Sequence, residues 1–148
     1  DQSVWLQTVF MDGNPGWYTL SNTSEGPQRI HDDCGIVNCD NLDDGVCGLF
    51  QVQVEELAPQ ATRQETWDGT IWAEQPIPNT PGDETCEAPI AATEAEYTLT
   101  LCWGSTTSQQ DVGVVPDAVT CVDRALDWSG TSITLIHSIG ENSIEEPN

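Results

Sequence analysis

The chain has 148 residues, room for one compact domain and too few for two with cores of ordinary size. Asp and Glu total 25 against three basic residues, all arginine (Arg29, Arg63, Arg124), giving a formal charge of −22. Without clustered cations the chain cannot neutralise a phosphate backbone or dock on anionic lipid, which excludes a nucleic-acid binder and an electrostatic membrane binder. A cationic partner, a metal or a neutral glycan stays open.

High charge can signal disorder, but here 37% of residues are apolar and six are tryptophans, so a folded chain is expected. Such a chain repels itself, and salt screens that repulsion over about 8 Å at physiological ionic strength.

The first predicted strand is 4–10, with Trp5 out of phase with Val4, Leu6 and Phe10. A turn at 12–16 separates it from a short strand at 17–20. Asn22-Thr23-Ser24 fits a glycosylation sequon, and Gly26-Pro27 precedes a second short strand at 28–31.

Residues 31–47 then pack five aspartates, three cysteines and two glycines into one stretch. Asp40, Asp43 and Asp44 before Gly45 could supply oxygen ligands to Ca²⁺. An EF-hand is rejected, because Leu42 falls where that loop needs an oxygen and Gln51 where it needs a glutamate. The alternative is a disulfide-stapled loop whose aspartates cap turns.

Beyond it, 50–55 alternates cleanly, with Phe50, Val52 and Val54 on one face. A strand at 67–73 places Trp72 opposite in parity to Trp67 and Ile71. Turn residues fill 76–82, and 88–96 is the nearest helical candidate, with Pro89 in a first turn. Strands follow at 97–103, with Tyr97, Leu99, Leu101 and Trp103 inward, at 119–128, and at 133–139, where His137 shares a face with Ile133 and Leu135. Residues 141–148 read as a polar tail behind a domain at 1–140. The predicted fold is all-β: a single antiparallel β-sandwich of about seven or eight strands, stapled by disulfides.

Six cysteines (Cys34, Cys39, Cys47, Cys86, Cys102, Cys121) in a small acidic chain favour three disulfides and an oxidising compartment over zinc, since paired C-x2-C knuckles are absent. Spacing does not dictate connectivity. The arrangement expected from position pairs Cys86 with Cys102 and Cys121 with one cysteine of the acidic loop, the other two closing that loop. The start at Asp1 is that expected of a mature protein after signal-peptide removal. No apolar run approaches the length of a membrane span, so membrane insertion is not expected. A secreted, cell-surface or periplasmic location follows.

No G-x-S-x-G, H-E-x-x-H, P-loop or G-x-G-x-x-G motif occurs, and the expectation is a non-enzymatic protein. His31 beside Asp32 and Asp33 reads as a surface group and His137 as a hydrogen-bonded core or edge residue. Trp67-Asp68-Gly69-Thr70, followed by Cys86 and then 97–102, resembles cysteine-stapled, immunoglobulin-like β-sandwich modules of secreted bacterial proteins. The resemblance implies fold and compartment, not activity.

Three functions compete. A structural or adhesive surface module would self-associate, with 4–10 as an edge strand open to strand addition. A carbohydrate-binding module would stack a surface glycan on exposed Trp5 and Trp72. A protease-inhibitor-like domain would present a stiffened loop.

Overall fold

The computed structural model describes residues 2–8, 16–30, 37–42, 52–77, 84–111, 113–138 and 141–145. The described chain is all-β and antiparallel, with eleven strands: β1 (Val4–Gln7), β2 (Tyr18–Asn22), β3 (Gly26–Gln28), β4 (Val54–Leu57), β5 (Thr62–Trp67), β6 (Thr70–Pro76), β7 (Thr85–Ala91), β8 (Ala95–Gln110), β9 (Gly113–Trp128), β10 (Ile133–Ser138) and β11 (Glu141–Glu145). That exceeds the seven or eight expected. Among the additions, β5 and β11 are largely polar, and β7 lies where a helix was expected.

The long β8–β9 hairpin organises the largest sheet. β9 pairs one side of β8 from Ala95↔Trp128 to Gln110↔Gly113. The other side of β8 is shared. β2 pairs its first part, Tyr97 to Leu101, and β1 meets it at Gly104. β3 then flanks β2, and β4 flanks β1 over Val4↔Leu57 to Gln7↔Val54. A three-stranded sheet runs β11–β10–β5, and β6 and β7 form a two-stranded one.

Alternation in β8 behaves as the sequence demands. Tyr97, Leu99 and Leu101 are buried, Trp103 is partly buried, and Thr98 and Thr100 lie on the opposite face. These side chains join Val4, Leu6, Tyr18, Leu20, Leu126 and Trp128 of the same sheet. Trp67, Ile71, Ile133 and Leu135 from the other two sheets complete one contiguous core. Trp67 sits at its centre, 4.5 Å from Trp128 and 5.8 Å from Tyr97 between ring centroids. Burial of such aromatic and aliphatic surface is the main term holding sheets together.

Four expectations need correction. Residues 67–73 do not form one strand, because Gly69 adopts φ +83° and passes the chain from β5 to β6. Residues 88–96 are not helical. Residues 88–91 pair with β6 in register Trp72↔Pro89, the missing Pro89 amide being tolerated at an edge. Residues 141–145, expected in a polar tail, pair with β10 from Ser138↔Glu141 to Thr134↔Glu145. Finally, of the edge strand expected at 4–10 the described part is not an edge: β1 lies between β8 and β4, hydrogen-bonded on both sides, and residues 9 and 10 lie outside the described residues.

The described disulfides also differ from the expected pairing. Cys102 and Cys121 stand directly opposite in the β8–β9 register, with Cα atoms 4.1 Å apart. Cys86 joins Cys39 instead, 47 residues away in sequence. That bridge reinforces a short pairing in which the Cys39 amide donates to the Glu87 carbonyl and the Glu87 amide to the Val37 carbonyl. Register, a non-local property, therefore decides which cysteines meet. Cys34 and Cys47 lie outside the described residues. Two disulfides are the mark of a chain that folds in an oxidising compartment.

Candidate functional site

Among the described residues a cleft beside Trp72, floored by core residues, and the outer edge of β9 can make contacts, and a smaller pocket of about 210 Å³ lies between Gln7, Trp103, Pro116 and Val119.

The cleft encloses about 330 Å³. Its apolar wall is Tyr18 of β2, Ile30 just after β3, Trp67 at the end of β5 and Trp72 of β6, and the hydrogen-bonding residues Thr66, Asp68 and Thr70 continue the lining. Local hydrogen bonds explain how one cleft gathers residues from four elements. The Trp72 amide donates to the Arg29 carbonyl at 2.7 Å, which fastens the residues after β3 to β6 and sets Ile30 in place. The Trp67 indole Nε1 donates to the Thr70 carbonyl at 2.8 Å, and the Thr70 amide to Asp68 Oδ1 at 2.9 Å. These bonds close the turn that carries Gly69. The Arg29 guanidinium reaches across to Glu87 of β7 in an ion pair.

Electrostatically the cleft is negative. Asp68 is exposed at the turn, and the Tyr18 hydroxyl donates to the carboxylate of Glu65. Burial first, then the Glu65 charge and this hydrogen bond, raise the Tyr18 pKa far above the ordinary tyrosine range. Tyr18 is therefore a neutral donor and wall residue. No arginine lines the cleft.

The second feature follows from ladder geometry. The short separation of Cys102 and Cys121 marks a non-hydrogen-bonded pair, and the Cys102 amide accordingly donates away from β9, to the Trp17 carbonyl at 2.7 Å. Cys121 must then direct its own amide and carbonyl away from β8. By alternation so do Val119, Asp123, Ala125 and Asp127. Among the described residues the backbone bridge on this side of β9 is the one between Val52 and Gly113, and β1 and β4 also approach β9. Val119, on the outer face, is the most exposed large hydrophobic residue described, at 56%.

The residues singled out from sequence fare differently. Trp72 lines the cleft but is half-buried, not exposed. Trp5 is also half-buried, on β1, where it pairs with Gly104 and Glu56. The two tryptophans belong to different sheets, and Trp5 is not among the described residues that line the Trp72 cleft. Asp40 is exposed, and its amide donates to Asn38 Oδ1 in a small turn. Asp43 and Asp44, the other calcium candidates, lie outside the described residues, as does His31. Among the described residues no three potential metal ligands converge. The sequon residue Asn22 is buried, and its Oδ1 accepts from both the amide and the hydroxyl of Ser24, so its side chain serves the turn.

Sequence reasoning missed Tyr18, Ile30 and Asp68 as neighbours of Trp72, because they come from separate elements. It missed Val119 because an apolar residue in a strand is ordinarily taken as core. The signal was present in its alternation with Cys121 and Asp123, away from the inward Val122 and Leu126.

Among the described residues no helix is long and apolar enough to cross a membrane. No family model, curated protein or solved structure matches this chain.

Proposed function

We propose that the protein is a non-enzymatic extracellular structural module that associates with copies of itself by strand addition along β9. The observation that carries this reading is the outward row of amides and carbonyls from Val119 to Asp127, which no other described strand pairs, since an open strand edge is a template for pairing. A second copy fits the charge pattern. In an antiparallel pair with its two-fold axis at Cys121, Val119 faces Asp123 of the other copy, Asp117 faces Ala125, and Val115 faces Asp127. Each aspartate thereby meets an apolar residue, whereas an axis at Thr120 would set Asp117 against Asp123. The two disulfides support the extracellular setting.

Sedimentation equilibrium across protein concentration and salt tests the reading. The wild-type chain is expected to associate, and more strongly as salt screens its −22 charge. Val119→Asp sets like charges opposite and should weaken association about tenfold, while Val119→Arg faces Asp123 and should strengthen it. The same two charge changes at exposed Thr23 should move association far less. A monomeric wild type at every concentration and salt, or equal effects at Val119 and Thr23, would refute the proposal.

A further inference from the structure

We propose that the cleft formed by Tyr18, Trp67 and Trp72 binds a compact organic cation, an alkylammonium group. This inference is independent of assembly along β9.

Chemistry argues against an anion and a hard divalent ion. An anion would meet no positive lining group in a chain carrying 25 acids and three arginines. Two of those arginines are already engaged, Arg29 with Glu87 and Arg63 with Glu55. A hard divalent ion needs about six to eight oxygen ligands, and the cleft offers one carboxylate, that of Asp68. A sugar ring is the remaining competitor, since Thr66, Asp68 and Thr70 could hydrogen-bond it beside Trp72, and the negative charge of the cleft favours a cation over that neutral ligand.

An alkylammonium ion suits all three properties of the cleft. Its methyl groups match the apolar wall, and its charge, spread over those methyls, is weakly hydrated and attracted to the aromatic ring that half-buried Trp72 presents, with Tyr18 and Trp67 almost wholly buried behind it. The carboxylates of Asp68 at the turn and Glu65 behind Tyr18 supply the negative potential that retains it. At about 330 Å³ the cleft has ample room for such a head group. The ligand could arrive free, as choline, or tethered, as a methylated lysine. The recognised chemistry is the same.

The test uses the full chain and choline as probe, followed by calorimetry and by NMR of the tryptophan indole N–H signals. Choline should bind about tenfold more tightly than its neutral isostere, in which carbon replaces the quaternary nitrogen. Trp72→Ala should abolish binding, Trp72→Phe should retain part of it, and Asp68→Asn should weaken it and flatten its salt dependence. A trimethyllysine peptide competing with choline would identify the tethered source. Unaltered melting temperatures keep these comparisons interpretable, and Trp72→Phe serves if Trp72→Ala unfolds. No choline binding, equal binding of the neutral isostere, or methyl glucoside binding in its place would overturn the proposal.

Discussion

Gly69→Ala probes the junction on which both the core and the cleft depend. Gly69 is buried at φ +83°, and a Cβ built there would lie 2.0 Å from Trp128 Cζ2 and 2.7 Å from Cη2. Carbon atoms pack at about 3.5–4.0 Å, so the indole has to move. Trp128 has little room to do so, being buried and packed at a tilt against Trp67. The left-handed conformation costs an alanine about 1–2 kcal/mol, and overpacking a core adds about 1–3 kcal/mol. Gly26→Ala is the matched reference, since Gly26 has φ +80° and nothing within 4 Å of its added Cβ. It carries the backbone cost alone, and the effect of Gly→Ala on the unfolded chain is common to both variants. Urea unfolding followed by tryptophan fluorescence should therefore show Gly69→Ala less stable than Gly26→Ala by about 1–3 kcal/mol. Trp128→Phe removes the atoms that clash, so Gly69→Ala should cost distinctly less in that background. Equal destabilisation by the two glycine replacements, or an unchanged cost beside Phe, would show that Trp128 does not fill the space over Gly69.

Tyr18 predicts an alkaline limit to stability. Its pKa is raised in the fold, so below about pH 10 both folded and unfolded chains hold the proton and its contribution is intact. Above that the unfolded chain releases the proton while the folded one keeps it, and stability falls by up to about 1.4 kcal/mol per pH unit. Urea midpoints should decline across this range more steeply in wild type than in Tyr18→Phe, and equal slopes would contradict the burial of the hydroxyl against Glu65. The disulfides predict a ranking: from loops of 47 and 19 residues, removing the Cys39–Cys86 bridge by paired alanines should cost about 4 kcal/mol and removing Cys102–Cys121 about 3 kcal/mol. Non-reducing peptide mapping checks the pairing itself, and a Cys86–Cys102 peptide would overturn it.

The legible parts of the fold were those with local causes. Tyr97, Leu99 and Leu101 alternate with threonines, and β8 follows directly from that pattern. β5 has no such pattern: of Thr62 to Trp67 only Trp67 is buried, and its strand state comes from pairing with β10. β7 reads as helical because Ala88, Ala91 and Pro89 suit a first turn. Pairing with β6, and the bridge from Cys86 to Cys39, outweigh that preference. Trp72 was legible as a site residue through its parity against Ile71, but its cleft is not written in any one segment. Four elements have to meet before Tyr18, Ile30, Trp67 and Trp72 share a wall.

The same distinction between local and non-local causes bears on assembly. Residues 4–7 have the composition of an edge strand open to another chain, since all four are uncharged. Edge or interior is nevertheless decided by neighbours, and β1 has two. Val4 and Leu6 are core residues and β4 depends on β1 for its pairing, so removing residues 1–10 would test folding instead of association. β9 carries the opposite signature: Asp117, Asp123, Arg124 and Asp127 are the charged residues that strand edges use against indiscriminate pairing. Charges of this kind limit association to registers in which they do not oppose one another. An axis at Cys121 is such a register and one at Thr120 is not. Strand addition along β9 would thus be selective because its edge is charged, and Val119, exposed between Asp117 and Cys121, is where a single side chain can shift that selection in either direction.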